Sequence, residues 1–134
     1  LEAGLPLYGH ELNLNINPYE AGLSWAVKLD KPSFIGKKAL LDKKESIRKK
    51  LFGFEVLEKA IPRQGCKIYI GGSEIGFVTS GTFSPTLKKP VGMAYLSTDF
   101  EGSLSDPELR IEIREKLVPI KIVKLPFYRR CDKI

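Results

Sequence analysis

From Leu51 onward, apolar residues recur at every second position, which is the pattern of β-strands that bury one face. The alternation is clearest where Phe52, Phe54 and Val56 follow one another at this spacing. The pattern predicts about six strands, at 51–57, 67–70, 73–83, 90–97, 109–114 and 117–125. Hairpin turns are expected between them at Gly71-Gly72 and Glu115-Lys116.

Six antiparallel strands in about 80 residues favour a closed barrel, because closure removes the exposed edges of a sheet. The predicted fold class is therefore mainly β, with a short helical N-terminal part and a six-stranded antiparallel β-barrel. The stretch Gly76–Leu87 is rich in glycine, serine and threonine, and we interpret it as a bulged barrel strand in preference to a partner-binding segment. Since side chains fill the interior of so small a barrel, a binding site is expected on its surface or at its junction with residues 1–50.

The residues before Leu51 carry helix and turn signals instead of the strand pattern. Asn17-Pro18 is predicted to be a turn or the start of a short helix, and Asn17 can cap it. Residues 24–29 are predicted to be extended. A second helix is predicted near 34–49, with Ser33 as its N-cap.

The formal net charge of +6 is concentrated between Lys37 and Lys50, where seven cations accompany two acids. A solvated helix face is the favoured interpretation, and a docking patch for an acidic partner is the alternative. The chain has two distant cysteines, Cys66 and Cys131, and a single histidine, His10, which is expected in a surface loop. This set excludes the usual Cys/His zinc site and predicts reduced thiols in a cytosolic or matrix-like compartment. No apolar run is long enough to predict a membrane-spanning helix.

No complete catalytic constellation is present, and the candidate binding residues are aromatic. Tyr8 either stacks on an aromatic ligand or packs in a core with its hydroxyl at the surface. The same choice applies to Trp25, for which core packing is favoured. Near the C-terminus, Tyr128 precedes Arg129 and Arg130, whose guanidinium groups either bind carboxylates, such as a glutamate tail, or are simply solvated.

Seven segments, in this order and at these spacings, resemble the C-terminal part of the aminomethyltransferases, the T-proteins of the glycine cleavage system. They are L-E-A-G-L-P-L-Y-G (1–9), E-A-G-L-S-W-A-V-K-L (20–29), F-I-G-K-K-A-L (34–40), P-R-Q-G-C-K-I (62–68), G-F-V-T-S-G-T-F-S-P (76–85), V-G-M-A-Y-L (91–96) and L-P-F-Y-R-R (125–130). The resemblance implies a tetrahydrofolate-dependent transferase. Such an enzyme takes an aminomethyl group from the lipoyl arm of the H-protein, releases ammonia and forms 5,10-methylenetetrahydrofolate.

The resemblance also implies a division of the chain and a set of site residues. Residues 1–50 correspond to the tail of a folate-binding domain, and residues 51–134 correspond to the C-terminal β-barrel domain. Tyr8 is implied as a folate-binding residue, and Tyr128 is a second, weaker match. The family's catalytic aspartate, its folate-binding glutamate and the arginine before L-E-A-G are expected upstream of Leu1. The chain is therefore expected to hold no catalytic residue and to be inactive alone.

Two related classes remain as alternatives. One is the folate-binding C-terminal region of a sarcosine or dimethylglycine dehydrogenase. The other is a basic RNA-binding barrel related to folate-dependent tRNA modification, although the basic run lacks interleaved aromatics. The expected partners are tetrahydrofolate and a lipoylated H-protein, with no membrane or nucleic acid. The compartment is expected to be the cytoplasm in bacteria or the mitochondrial matrix in eukaryotes.

If residues 1–50 are the remnant of a larger domain, they are expected to expose apolar side chains that the longer protein buries. The residues expected to form this patch are Leu5, Leu7, Leu23 and Trp25. Such a patch tends to find a partner, so the chain is expected to self-associate.

Overall fold

A computed structural model describes residues 1–99 and 107–129 of the 134-residue chain. Six strands dominate this part of the chain, in agreement with the predicted fold class. Their bounds are β1 Lys49–Val56, β2 Lys67–Ile70, β3 Ser73–Ser84, β4 Lys89–Ser97, β5 Arg110–Ile113 and β6 Lys116–Val123. The N-terminal part contributes a short 3-10 helix at Ser24–Ala26 and the helix α1 at Lys37–Lys44.

The six strands close into a barrel in the order β1-β4-β3-β2-β5-β6. Every neighbouring pair is antiparallel, and β1 closes the barrel by pairing with both β4 and β6. Closure pairs every strand on both sides, so the barrel presents no open sheet edge. The predicted six-stranded antiparallel barrel is thus confirmed, with strand ends within two residues of those expected from the sequence.

The hairpin turns follow the predicted positions with one correction. Gly71 and Gly72 both have positive φ and connect β2 to β3, as predicted. The turn between β5 and β6 consists of Arg114 and Glu115, with φ of 49° and 63°, and not of Glu115-Lys116. Lys116 pairs with Ile113 across the ladder, and this pairing places the turn one residue earlier. Positive φ at both central residues is the geometry of a tight hairpin turn whose twist matches the strands.

Apolar side chains fill the barrel interior, as the small strand number requires. The fully buried members of this core include Phe54, Ile68, Val78, Leu96 and Ile111. The favoured interpretation of Gly76–Leu87 is confirmed, because the register of β3 against β4 shifts between Val78 and Ser80. The residue in the bulge, Thr79, is buried, and its hydroxyl donates to the Met93 carbonyl at 3.0 Å.

β4 is buried on both of its faces. Ala94 and Leu96 point into the barrel core. Met93 and Tyr95 alternate with them on the outer face, yet their exposed fraction is only 1%. Residues 1–50 provide the cover for this outer face, since the Tyr95 hydroxyl donates to the carbonyl of Glu11 at 2.8 Å. The outer face of β4 is therefore a second packing layer on which the N-terminal part of the chain lies.

The predicted helix at 34–49 is wrong in its length and its cap. The helix α1 spans only Lys37–Lys44, and Gly36 precedes it in the left-handed conformation, without a side-chain cap from Ser33. The residues after the helix pair with the end of β4 instead of continuing the helix. The Thr98 amide donates to the carbonyl of Arg48 at 2.8 Å, and the Thr98 hydroxyl donates to the carbonyl of Ile47 at 3.1 Å. Tertiary pairing with the end of β4 thus overrides the local helix pattern.

Of two smaller predictions before residue 37, one is wrong, and the other is confirmed in its turn alternative. The segment predicted as extended at 24–29 begins with the 3-10 helix Ser24–Ala26. Asn17 does cap backbone amides, because its side-chain oxygen accepts from Tyr19 at 2.9 Å and Glu20 at 3.1 Å. The capped segment is a turn and not a helix. Within the described residues, no helix is both long and apolar enough to cross a bilayer.

We expect Phe54→Ala to lower the free energy of unfolding by about 3–5 kcal/mol, because it opens a cavity in the closed barrel core. The matched control is Phe83→Ala, since the Phe83 side chain is half exposed on β3 and should cost about 1 kcal/mol or less. Urea unfolding of both variants followed by circular dichroism measures the difference. Equal losses in the two variants would contradict the placement of Phe54 in the core.

Candidate functional site

Tyr8 lies at the tip of a tight loop formed by residues 7–12, which we call the Tyr8 loop. The carbonyl of Leu7 accepts hydrogen bonds from the amides of His10, Glu11 and Leu12 at 3.0–3.2 Å. The Tyr8 side chain is 70% exposed. The alternative in which Tyr8 packs in a core is therefore wrong, and its ring is free to meet a ligand or another part of the protein.

Glu11 fixes this loop from beneath. Its side chain is fully buried, and its Oε2 accepts a hydrogen bond from the amide of Leu7 at 2.9 Å. Its carbonyl accepts the hydrogen bond from the Tyr95 hydroxyl at 2.8 Å. The other carboxylate oxygen, Oε1, is buried and has no hydrogen-bond partner among the described residues. Through its side chain and its backbone carbonyl, this one residue thus joins the residue before Tyr8 to the outer face of β4.

His10 provides a second attachment of the loop to the barrel. Its Nδ1 lies 3.0 Å from the carbonyl oxygen of Thr79 in the β3 bulge. A carbonyl only accepts, so this contact requires the proton on Nδ1. His10 lies in a loop, as expected, but it is half-buried against the barrel.

The Tyr95 ring is held on several sides. Phe77 lies at a centroid distance of 6.2 Å, and the Lys49 ammonium lies 5.5 Å from the Tyr95 centroid. Burial raises the pKa of Tyr95 far above its usual range, and the carboxylates of Glu20 and Glu11 add to the rise. The phenol therefore stays protonated at physiological pH and remains a donor to the Glu11 carbonyl.

Glu2 anchors the other end of the N-terminal segment. Its carboxylate accepts hydrogen bonds from the Ser84 hydroxyl, from the Thr86 amide at 3.1 Å and from the Thr86 hydroxyl at 2.8 Å. The Glu2 carbonyl also accepts from the amide of Tyr128 at 3.1 Å. The hydrogen bonds from Ser84 and Thr86 lower the pKa of Glu2. Glu2 therefore brings both ends of the described chain to the turn after β3.

An apolar cavity of about 580 Å³ lies between the N-terminal segment and the barrel. Its lining comes from residues 4–6 and 21–25 on one side and from β1 and the end of β6 on the other. Trp25 borders it and is 73% exposed, so the favoured core position for this residue is wrong. Cavities that are largely apolar are the usual form of a small-molecule or domain-contact surface.

The expected patch of apolar side chains is present for three of its four members. Leu5, Leu7 and Trp25 are exposed, whereas Leu23 is half-buried. Tyr128, the second predicted folate residue, is 46% exposed. Within residues 1–99 and 107–129 its ring makes no contact with the ring of Tyr8. The amide of Tyr128 instead donates to the carbonyl of Glu2, which lies six residues before Tyr8 in the chain.

The basic run lies mostly in solvent. The helix α1 buries none of its side chains, and this exposure is compatible with both a solvated face and a docking patch. Lys43 and Lys44 are exposed in its last turn. Two cations at the ends of the run are engaged: Lys37 donates to the carbonyl of Lys31 at 2.6 Å, and Lys49 lies against Tyr95. Arg130 and Cys131 lie outside the described residues, while Arg129 is exposed.

The residues that hold the Tyr8 loop were missed in the sequence. Glu11 stands in a polar turn, and nothing in its neighbours indicates a buried carboxylate. Tyr95 belongs to an apolar strand whose outer face the periodicity leaves unassigned. The sequence gives a partial indication for Ser84 and Thr86, because a Ser/Thr-rich stretch contains hydroxyl groups that can donate hydrogen bonds. The structure uses both hydroxyls within the chain, on Glu2.

The sequence of the chain is similar to a known protein family and to individual known proteins. The family described as glycine cleavage T-protein C-terminal barrel domain matches residues 49–129. The chain is 50% identical over 132 residues to an aminomethyltransferase of Geobacillus sp. strain WCH70, covering 97% of this chain and 36% of the relative. It is 48% identical over 130 residues to an aminomethyltransferase of Desulforamulus reducens, covering 96% and 35%.

A solved structure extends the comparison to three dimensions. The chain is similar to the crystal structure of the glycine cleavage system aminomethyltransferase T from Bartonella henselae, with a TM-score of 0.83 and 30% sequence identity. The match covers 95% of this chain and 36% of that one. The chain thus spans about a third of the length of the relatives it matches.

The Glu2 contacts predict a pH-dependent stability. Because the folded pKa of Glu2 lies below its ordinary value of 4.5, its stabilisation is present above pH 4.5 and is lost as the pH falls through the folded pKa. The difference in melting temperature between the wild type and Glu2→Ala should therefore be largest near neutral pH and shrink in acid. The exposed Glu58→Ala is the control and should show no such trend. A difference that is constant down to pH 2.5 would contradict the assignment.

Proposed function

Because this chain belongs to the family of the glycine cleavage T-protein C-terminal barrel domain, we propose that it forms the C-terminal portion of a tetrahydrofolate-dependent aminomethyltransferase. The complete enzyme takes the aminomethyl group carried on the lipoyl arm of the H-protein, releases ammonia and forms 5,10-methylenetetrahydrofolate. The observation that carries this proposal is the similarity over 97% of the chain to an aminomethyltransferase. Since the chain spans about a third of such relatives, the activity is that of a longer protein.

Tetrahydrofolate is the ligand proposed for Tyr8. Its ring is exposed on a loop that several hydrogen bonds fix in place, so little conformational entropy is lost when a flat ligand stacks on it. On the same N-terminal segment, the carbonyl of Glu2 accepts from the amide of Tyr128, and the exposed Arg129 follows Tyr128. A guanidinium suits the carboxylates of a glutamate tail, which makes Tyr128 and its neighbour a second folate contact in this proposal.

The division of the chain also enters as a proposal. Residues 1–50 are the end of a folate-binding domain, and the rest of the longer protein covers the exposed apolar side chains of Leu5, Leu7, Tyr8 and Trp25. The catalytic carboxylates belong to the rest of the longer protein in this proposal. Alone in solution, the same patch drives self-association of the chain. The proposed compartment is the cytoplasm for a bacterial source and the mitochondrial matrix for a eukaryotic one.

Replacing Tyr8 by alanine in the full-length protein should weaken tetrahydrofolate binding roughly 5- to 150-fold, the equivalent of about 1–3 kcal/mol for a lost stacking partner. Isothermal titration calorimetry measures the dissociation constant, and a melting curve checks that the fold is intact. The matched control is Tyr69→Ala on β2, because Tyr69 lies two strands away from β4 in the barrel order. An unchanged dissociation constant for Tyr8→Ala would remove Tyr8 from the folate site.

The exposed cations of α1 are the proposed docking patch for the H-protein, which is expected to be acidic. Complementary charge mainly speeds encounter, so reversing Lys38, Lys43 and Lys44 to glutamate should slow association several-fold at low salt. Salt should mask the difference, because exposed charges are screened. Lys49 is left unchanged, since it contacts Tyr95.

Stopped-flow association of the full-length protein with lipoylated H-protein measures this effect. Reversal of Lys59, Lys116 and Lys121 to glutamate provides a control with the same change in charge, because all three are exposed and lie outside α1. Equal association rates for all variants at low salt would leave α1 as a merely solvated face.

A further inference from the structure

The Tyr8 loop is linked to the barrel by a short chain of contacts that the proposed function does not use. The Tyr95 hydroxyl on β4 donates to the carbonyl of Glu11 at 2.8 Å. The carboxylate of the same Glu11 accepts from the amide of Leu7 at 2.9 Å. Leu7 directly precedes Tyr8. Two hydrogen bonds and one residue therefore connect a barrel strand to the exposed ring.

The first contact in this chain is rigid. Tyr95 is 1% exposed and sits in the closed ladder between Leu51 on β1 and Phe77 on β3. The ring of Phe77 and the ammonium of Lys49 flank it. Since packed interiors hold side chains in single rotamers, the hydroxyl points at one fixed position. That position is the backbone of the Tyr8 loop.

The second contact has the properties expected of a positioning group. The Glu11 carboxylate is fully buried, and one of its oxygens has no partner among the described residues. Burying such a group costs free energy of folding, so stability alone does not explain its presence. Its other oxygen, however, holds the amide of Leu7, where the main chain turns outward to Tyr8. The carbonyl of Leu7 in turn accepts the three amides of residues 10–12. Glu11 thus fixes the direction in which the loop presents the tyrosine ring.

We propose that Tyr95 and Glu11 are positioning residues that hold Tyr8 in the orientation in which it stacks on folate. The inference rests on the proposed function, because it assumes that Tyr8 contacts folate. Neither residue touches the ligand: Tyr95 is covered by the N-terminal segment, and Glu11 has no exposed surface. Their effect on folate binding passes entirely through the Tyr8 loop.

A double-mutant cycle in the full-length protein tests this dependence. Tyr95→Phe keeps the ring and removes the hydroxyl, so it should weaken tetrahydrofolate binding roughly two- to tenfold, the range that one hydrogen bond contributes. In a Tyr8→Ala background the same substitution should have no further effect. The matched control is Tyr69→Phe, which removes the hydrogen bond to Glu112 elsewhere on the barrel and should leave binding unchanged.

The outcomes separate the inference from the proposed function. If Tyr8→Ala does not change the dissociation constant, the proposed folate contact fails. If Tyr8→Ala weakens binding while Tyr95→Phe binds like the wild type, only the positioning inference fails. If Tyr95→Phe weakens binding equally with and without the Tyr8 ring, its effect is general destabilisation, and the inference is again overturned.

Glu11 supplies an independent pair of variants. Glu11→Gln keeps an oxygen for the Leu7 amide and removes the buried charge, so folate binding should stay close to the wild type. Glu11→Leu removes the acceptor at similar volume and should weaken binding as Tyr95→Phe does, even where its melting temperature is unchanged. Equal binding by both variants would overturn the role of Glu11.

Discussion

The hydrogen bond from the Tyr95 hydroxyl to the Glu11 carbonyl joins two layers of this molecule. The barrel beneath has its own closed core, but residues 1–50 bury few large apolar side chains of their own, chiefly Tyr19. Their order therefore depends on the outer face of β4. Leu51 strengthens the same junction, because its amide donates to the carbonyl of Glu20 at 3.0 Å. Residues 1–50 have no independent core, and their conformation is fixed because they pack on β4, which belongs to the closed barrel.

This arrangement gives the barrel the role of a support for the N-terminal segment. The interior is filled, so the barrel binds nothing inside itself. It acts instead as a support to which the N-terminal segment is attached at several points, among them Glu11 and His10 in the Tyr8 loop and Glu2 at the turn after β3. Leu5, Leu7 and Tyr8, which lie between Glu2 and Glu11 in the chain, are exposed. We interpret the barrel as the element that fixes the position of these exposed side chains.

The sequence predicts the barrel well and the junction poorly, for physical reasons. Period-two alternation follows from half-buried strands, so the strands and the closed topology were predictable. The helix at 34–49 was overestimated because the pairing of Lys49 with Ser97 is a long-range contact that local propensity does not contain. The apolar run of β4 could not show what covers its outer face. Glu11 was missed because the burial of a carboxylate is a property of the assembled fold, and Trp25 was misplaced because an apolar run does not reveal exposure.

Native-state hydrogen exchange on the full-length protein tests the dependence of the N-terminal segment on the barrel most directly. If Tyr95 and Glu11 fix the segment to β4, the amides of Leu7 and Leu51 should be protected to nearly the same degree as those of β4. In Tyr95→Phe, protection at Leu7 should fall while β4 keeps its own. Fast exchange at Leu7 in the wild type, beside a fully protected barrel, would contradict the account.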